Sequence, residues 1–165
     1  MKVFFLRHGM TARAETDADR TLTPEGEAAL RTIIARRVDE LKNVRHILTG
    51  PLGRIRETAR VAAEVIGYKG DIVDNQGLTK LSRGEDVIAT LDEVESYDGD
   101  ILMVSHESSL CNLMLWLAGE DILMSNGSLA AVETTSWLQG SGKLLWQQSL
   151  NSSEIKRTSD FIDMF

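Results

Sequence analysis

Short apolar runs alternate along this chain with segments that have the periodicity of amphipathic helices. Val3 to Leu6 and Ile101 to Val104 are continuous apolar runs of a few residues, a pattern typical of strands buried on both faces of a sheet. Each run is followed by a short loop and then by a helical pattern. Strands that alternate with helices in this way predict a parallel sheet covered by helices.

The remaining elements follow the same rule until the last third of the chain. Thr23 and Pro24 have the residue types of a helix N-cap and first helical position, and Gly67 ends a helix that begins after Gly50 and Pro51. Further strands are predicted at 45–49 and 72–73, further helices at 85–97 and 107–117, and a hairpin at 128–135 and 143–148. We therefore predict a three-layer α/β/α sandwich with a mostly parallel central sheet and an antiparallel element near the C-terminus.

The length of the chain favours a single domain. Its 165 residues contain no repeat, low-complexity tract or linker-like segment, and this size suits one hydrophobic core. Residues 151–165 are largely polar. We predict one domain over residues 1–150 and a C-terminal tail over residues 151–165.

Charge and cysteine content exclude several classes of protein. The 25 acidic and 18 basic residues give a formal net charge of −7, which disfavours nucleic acids and anionic membrane surfaces as partners. The apolar segment 110–118 is far shorter than the roughly 20 residues that cross a bilayer. Cys111 is the one cysteine and cannot form an internal disulfide. These features predict a cytoplasmic protein.

Histidines and arginines follow three of the predicted strands. Arg7 and His8 come after the first strand, Arg54 lies beyond the second, and His106 comes directly after the run that ends at Val104. The carboxyl ends of parallel strands share one edge of a sheet, where ligands of α/β proteins bind. Arginine binds phosphate oxygens bidentately, and a neutral histidine is a nucleophile near pH 7. The pattern therefore favours a site for phosphoryl transfer.

These residues lie in motifs that resemble the histidine phosphatase superfamily, which also includes the phosphoglycerate mutases. Leu6 to Gly9 resembles its RHG signature, Thr21 to Gly26 its LTxxG helix start, Gly50 to Arg54 its SPxxR segment, and Val104 to His106 its second histidine motif. The resemblance runs in order from Met1 to Gln148. In this short form the chain is most similar to the bacterial phosphohistidine phosphatases of the SixA type.

The resemblance implies a role for each matching residue. His8 would be the nucleophile that becomes phosphorylated, His106 the second catalytic histidine, and Arg7 and Arg54 the phosphate clamps. Arg20 matches a further arginine of the short enzymes. Two further assignments come from position alone. Glu107 is a candidate substrate contact, although its place at a helix N-terminus also accounts for a carboxylate. Asp17 and Asp19, near the expected mouth, are either solvated or disfavour highly anionic ligands.

The chain departs from the family pattern in three ways. Gly50 stands where the family usually has serine, which removes a hydroxyl contact. Position 14 is alanine where the larger members have asparagine, which argues against mutase activity. The usual general-acid segment has no clear carboxylate, and its candidates are Asp74, Glu85 and Asp86.

The predicted function is a metal-independent phosphatase that works through a phosphohistidine intermediate, with phosphohistidine on a partner protein as substrate. Expelling an alkoxide requires a proton donor, whereas a phosphohistidine carries its own proton on the ring. Three histidines and one cysteine lack zinc-site spacing, and we predict no metal or cofactor. Two alternatives remain: a phosphomonoesterase for a small phosphorylated metabolite, and a module that binds phosphoryl groups without turnover.

Overall fold

A six-stranded sheet forms the centre of the computed structural model, which describes residues 1–79, 82–91 and 98–151. The strand order is β3-β2-β4-β1-β5-β6. β1 to β4 are parallel, whereas β5 pairs antiparallel with both β1 and β6. The bounds are β1 Lys2–Arg7, β2 Val44–Thr49, β3 Ile72–Asp74, β4 Asp100–Ser105, β5 Leu129–Thr134 and β6 Gly142–Gln148.

Helices cover both faces of this sheet. Their bounds are α1 Pro24–Ala35, α2 Val38–Leu41, α3 Gly53–Ile66, α4 Gly84–Leu91 and α5 Glu107–Ala118. Alternate residues of β1 belong to different cores because successive strand side chains point to opposite faces. Phe4 and Leu6 pack with α1 and α3, whereas Val3 and Phe5 pack with α4 and α5. The predicted three-layer sandwich is confirmed.

Local sequence signals place the helix ends. The Thr23 hydroxyl accepts a hydrogen bond from the Gly26 amide at 2.9 Å, and Pro24 occupies the first position of α1. Gly67 and Gly119 follow α3 and α5 with φ of 71° and 68°, a left-handed conformation that favours glycine. The predicted ends of α3 and α5 are thereby confirmed within one residue.

Some predicted boundaries differ or lie outside the described residues. The helix predicted at 85–97 begins at Gly84 and is described as far as Leu91, while residues 92–97 lie outside the described ranges. Residues 152–165 also lie outside them, so the division at residue 150 stays a prediction. A 3₁₀ turn at Asp17–Asp19 was not predicted, because three residues have no clear apolar periodicity. The apolar spacing that follows Pro24 continues through Val38 and Leu41 and predicts one helix, whereas the structure ends α1 at Ala35 and places these two residues in the separate α2.

Within the described ranges, the helices are all too short or too polar to span a bilayer.

Candidate active site

The two histidines leave the sheet side by side. β1 and β4 are parallel neighbours in which Arg7 pairs with Ser105, so the next residue of each strand, His8 and His106, emerges at the same edge. The His8 amide donates to the Ser105 carbonyl at 3.2 Å, which extends the pairing by one hydrogen bond. The imidazole centroids lie 5.8 Å apart and the ring planes are at 82°. Both side chains are buried.

The hydrogen bond of His8 identifies its free nitrogen. Nδ1 of His8 lies 2.9 Å from the carbonyl oxygen of Gly9, and a carbonyl can only accept. Nδ1 therefore carries the proton, and in the neutral ring Nε2 keeps its lone pair. The pKa of His8 is lowered from 6.5 to about 4, first by burial and then by the neighbouring positive charges of Arg54, Arg7 and Arg20, against the opposing effect of the Gly9 hydrogen bond. At neutral pH, the His8 ring is uncharged.

This pKa shift predicts a loss of stability in acid. In the unfolded chain this histidine has the ordinary pKa of 6.5, so it takes up a proton near pH 6.5. In the folded protein His8 takes up that proton only near pH 4. Its contribution is fully present above pH 6.5 and is lost as the pH falls toward 4. Between pH 7 and 4.5 we expect the free energy of unfolding to fall by about 2 kcal/mol more for the wild type than for His8→Gln. Urea titrations at both pH values measure this difference, and equal losses would contradict a buried neutral His8.

Three arginines share a cavity of about 470 Å³ with these histidines. Arg7 ends β1, Arg20 follows the 3₁₀ turn, and Arg54 is the second residue of α3. Arg54 is only 3% exposed. The Gly9 amide donates to the Thr58 hydroxyl, which donates to the Arg54 carbonyl, so the first turn of α3 is tied to the segment that carries His8.

Carboxylates contact each of the three arginines. Nη1 of Arg7 lies 2.9 Å from Oε2 of Glu107. Nη2 of Arg54 donates to Oδ2 of Asp17 at 3.0 Å, while Oδ1 of the same carboxylate lies 3.8 Å from Nη1 of Arg20. The guanidinium groups keep further donors nonetheless, because the Nε atom of each is buried and has no acceptor among the described residues. A phosphoryl group has the acceptor oxygens that such donors bind.

All six predicted site residues line this one cavity: Arg7, His8, Arg20, Arg54, His106 and Glu107. Asp17 lines it too, whereas Asp19 is exposed on the turn and does not. The wall formed by the loop between α5 and β5 was not predicted, because that loop has neither periodicity nor a motif. This loop contributes Asp121, Ile122, Leu123 and Asn126, and α5 contributes Ser108, Cys111 and Asn112, which were not predicted either. Thr11, which follows β1, is in the lining as well.

Gly50 has no room for the serine that the family pattern has at this position. A Cβ atom there would lie 2.5 Å from the carbonyl oxygen of Leu78, closer than real Cβ contacts. That carbonyl accepts a hydrogen bond from the Ser105 hydroxyl at 2.9 Å. Glycine at position 50 is therefore required by the close approach of the segment at Leu78.

The three carboxylates considered as general acids do not line the cavity. Asp74 is paired with Arg56, and Asp86 accepts from the Arg83 amide at 2.8 Å. Glu85 is exposed in the first turn of α4. The carboxylates that do line the cavity are Asp17, Glu107 and Asp121.

A second cavity lies at the opposite edge of the sheet. Its volume is about 640 Å³, and its lining includes Val44 and Asp100, the first residues of β2 and β4. The larger volume does not make it the better site. Ligands of parallel sheets bind at the carboxyl ends of the strands, and the predicted site residues lie there.

The matching family model is the Histidine phosphatase superfamily (branch 1), which aligns with residues 3–85, half of the chain. An uncharacterised protein of Picosynechococcus is 34% identical over 116 residues, which cover 67% of this chain and 68% of that protein. A probable phosphoglycerate mutase, GpmB, of Serratia proteamaculans is 33% identical over 89 residues, or 51% of this chain. The chain spans only 40% of that mutase.

Solved structures share the fold. The protein histidine phosphatase SixA complexed with tungstate superposes with a TM-score of 0.81 at 24% identity, covering 91% of this chain and 97% of SixA. A phosphoserine phosphatase mutant from Entamoeba histolytica superposes with a TM-score of 0.65 at 15% identity, covering 91% of this chain and 98% of that one. These likenesses confirm the predicted fold.

Proposed function

The chain belongs to the histidine phosphatase superfamily, and from this premise we propose that it is a phosphatase that works through a covalent phosphohistidine at His8. One observation carries the proposal: the two buried imidazoles, with ring centroids 5.8 Å apart, share a cavity with Arg7, Arg20 and Arg54. A neutral nucleophile beside three cations is the arrangement that in-line attack on a phosphoryl group requires.

In the first step Nε2 of His8 attacks phosphorus. The Nε2–P bond forms while the bond between phosphorus and the leaving group breaks. Arg7, Arg54 and His106 donate to the phosphoryl oxygens and stabilise the charge that spreads over them in the transition state. Nδ1 of His8 keeps its proton and donates it in a hydrogen bond to the Gly9 carbonyl, so the ring holds its orientation as it becomes positively charged.

In the second step water attacks the phospho-His8 intermediate. An O–P bond forms, the Nε2–P bond breaks, and inorganic phosphate leaves with both protons of the water as H₂PO₄⁻. The lone pair returns to Nε2, and the ring is again neutral. The same arginines can hold the phosphoryl group in both steps because it remains in place while the attacking group changes.

We propose phosphohistidine on a partner protein as the substrate. When the substrate ring is protonated, its P–N bond breaks to leave a neutral imidazole, so this transfer needs no proton donor. Glu107 and Asp17 are paired with arginines as carboxylates, and an ionised carboxylate cannot donate a proton. A site whose carboxylates are held in ion pairs with arginines is suited to substrates in which a P–N bond is broken.

A small phosphorylated metabolite is the second candidate substrate, favoured by one observation. Asp121, the third carboxylate of the cavity, has no arginine partner among the described ion pairs. A carboxyl group is the type of side chain that donates a proton to an alkoxide leaving group. The probable phosphoglycerate mutase and the phosphoserine phosphatase, which are similar to this chain, are named for small phosphorylated molecules.

A direct comparison of substrates tests the choice. We expect kcat/KM to be at least about tenfold higher for a phosphohistidine peptide than for sugar phosphates or phosphoserine at equal concentrations, because the monoesters need a proton donor. Released phosphate measures each rate. A preference for the monoesters would select the metabolite phosphatase, and binding of both classes without turnover would select the non-catalytic module.

A further inference from the structure

Asp17 contacts two of the three arginines in the cavity. Its backbone carbonyl accepts from Nη1 of Arg54 at 2.8 Å, and its Oδ2 accepts from Nη2 of the same guanidinium at 3.0 Å. Its Oδ1 lies 3.8 Å from Nη1 of Arg20. A single residue of the 3₁₀ turn thus places a negative charge between two cations of the site.

A carboxylate and a phosphoryl group bind arginine in the same way, through oxygen atoms that accept from the guanidinium fork. The Arg54 side chain is buried, whereas the side chain of Asp17 is 49% exposed. The buried cation has little freedom to move, but the carboxylate can turn toward water. An oxyanion that approaches Arg54 therefore meets a donor that Asp17 already occupies.

We propose that Asp17 is a specificity-determining residue whose carboxylate competes with oxyanions for Arg54 and Arg20. This inference rests on the proposed function, in which Arg54 clamps the phosphoryl group. Free phosphate and small anionic molecules must displace the carboxylate with their own binding free energy. A phosphoryl group on a partner protein is also held by protein contacts outside the cavity. Asp17 thus favours substrates presented by a protein and promotes release of phosphate.

The Asp17→Asn variant separates charge from position. Asparagine keeps an oxygen that accepts from Arg54, and the backbone contact does not depend on the side chain. The variant removes the negative charge while Arg54 stays in place. Asp19→Asn is the matched control because it makes the same charge change two residues away. Oδ2 of Asp19 accepts from the Thr16 hydroxyl at 2.7 Å, and this residue is outside the cavity lining.

Tungstate is the probe, and its dissociation constant is measured by calorimetry at low ionic strength. We expect Asp17→Asn to bind tungstate about five- to tenfold more tightly than the wild type, and Asp19→Asn to differ by less than about twofold. Inhibition of turnover by phosphate should strengthen in parallel. The gain should shrink in 0.5 M salt because the charges are then screened.

Each outcome decides the proposal. Unchanged or weaker tungstate binding by Asp17→Asn would overturn it and leave Asp17 as a positioning residue for Arg54. Asp17→Ser provides a second test if the asparagine variant does not fold, with the same gain expected. If the wild type binds tungstate and forms phospho-His8, but neither Asp17→Asn nor Asp17→Ser binds tungstate more tightly, this inference is refuted and the proposed function is not. A wild type that binds no tungstate would refute the proposed function as well.

Discussion

His8→Gln is expected to reduce kcat/KM for a phosphohistidine peptide at least ~10³-fold, because no other group takes the place of the nucleophile. Glutamine is preferred to alanine because the His8 side chain is buried, and a truncated side chain would leave a cavity. Phosphate release under single-turnover and steady-state conditions measures the loss.

His46→Gln is the control for this substitution. His46 lies on β2, and its Nε2 atom is 3.1 Å from the carbonyl oxygen of Asp98, outside the lining of the cavity that contains His8. We expect its kcat/KM to stay within about twofold of the wild type. A His8→Gln variant that folds and retains turnover within tenfold of the wild type would exclude His8 as the nucleophile.

Arg54→Ala is expected to reduce kcat/KM by about 10²- to 10³-fold, equivalent to roughly 3 to 4 kcal/mol of transition-state stabilisation. The buried guanidinium presents its charge to the cavity with little screening by water, and alanine removes both the charge and the bidentate fork. Arg54→Lys should recover part of the loss because it restores a charge without the fork. Steady-state kinetics of both variants measure these effects.

Arg56→Ala is the matched control for Arg54→Ala. Arg56 lies on the same helix, two residues beyond Arg54, but it is exposed and paired with Asp74 away from the cavity. A surface ion pair contributes little, so turnover and melting temperature should change only slightly. If Arg54→Ala and Arg56→Ala gave the same kinetics, Arg54 would not be a phosphate clamp.

The fold could be predicted from the sequence because its signals are local. Continuous apolar runs indicate strands buried on both faces, and each is joined to a helix whose ends are set by short-range chemistry. Thr23 caps α1 through its own hydroxyl, and Gly119 ends α5 because it adopts a positive φ. Such signals depend on a few neighbouring residues, which a single sequence contains.

The site could be predicted only in part. His8, His106 and Arg54 follow strands, so the parallel order of those strands is enough to bring them to one edge. The ion pairs are different, because each depends on where a loop returns. Asp17 reaches Arg54 through a three-residue turn, 37 positions away along the chain, and no periodicity indicates that return. The same reason accounts for the unpredicted wall between α5 and β5.

Detection of the covalent intermediate is the sharpest test of His8 as the nucleophile. The protein is mixed with an activated phosphodonor such as phosphoramidate, quenched in alkali within milliseconds to seconds, and analysed by intact-mass and peptide mass spectrometry. We expect one added phosphoryl group, stable in alkali and lost in acid, on the peptide that contains His8, and none in His8→Gln. Turnover of the phosphodonor with no phosphorylated His8 at any quench time, or with the label on another residue, would contradict this role of His8.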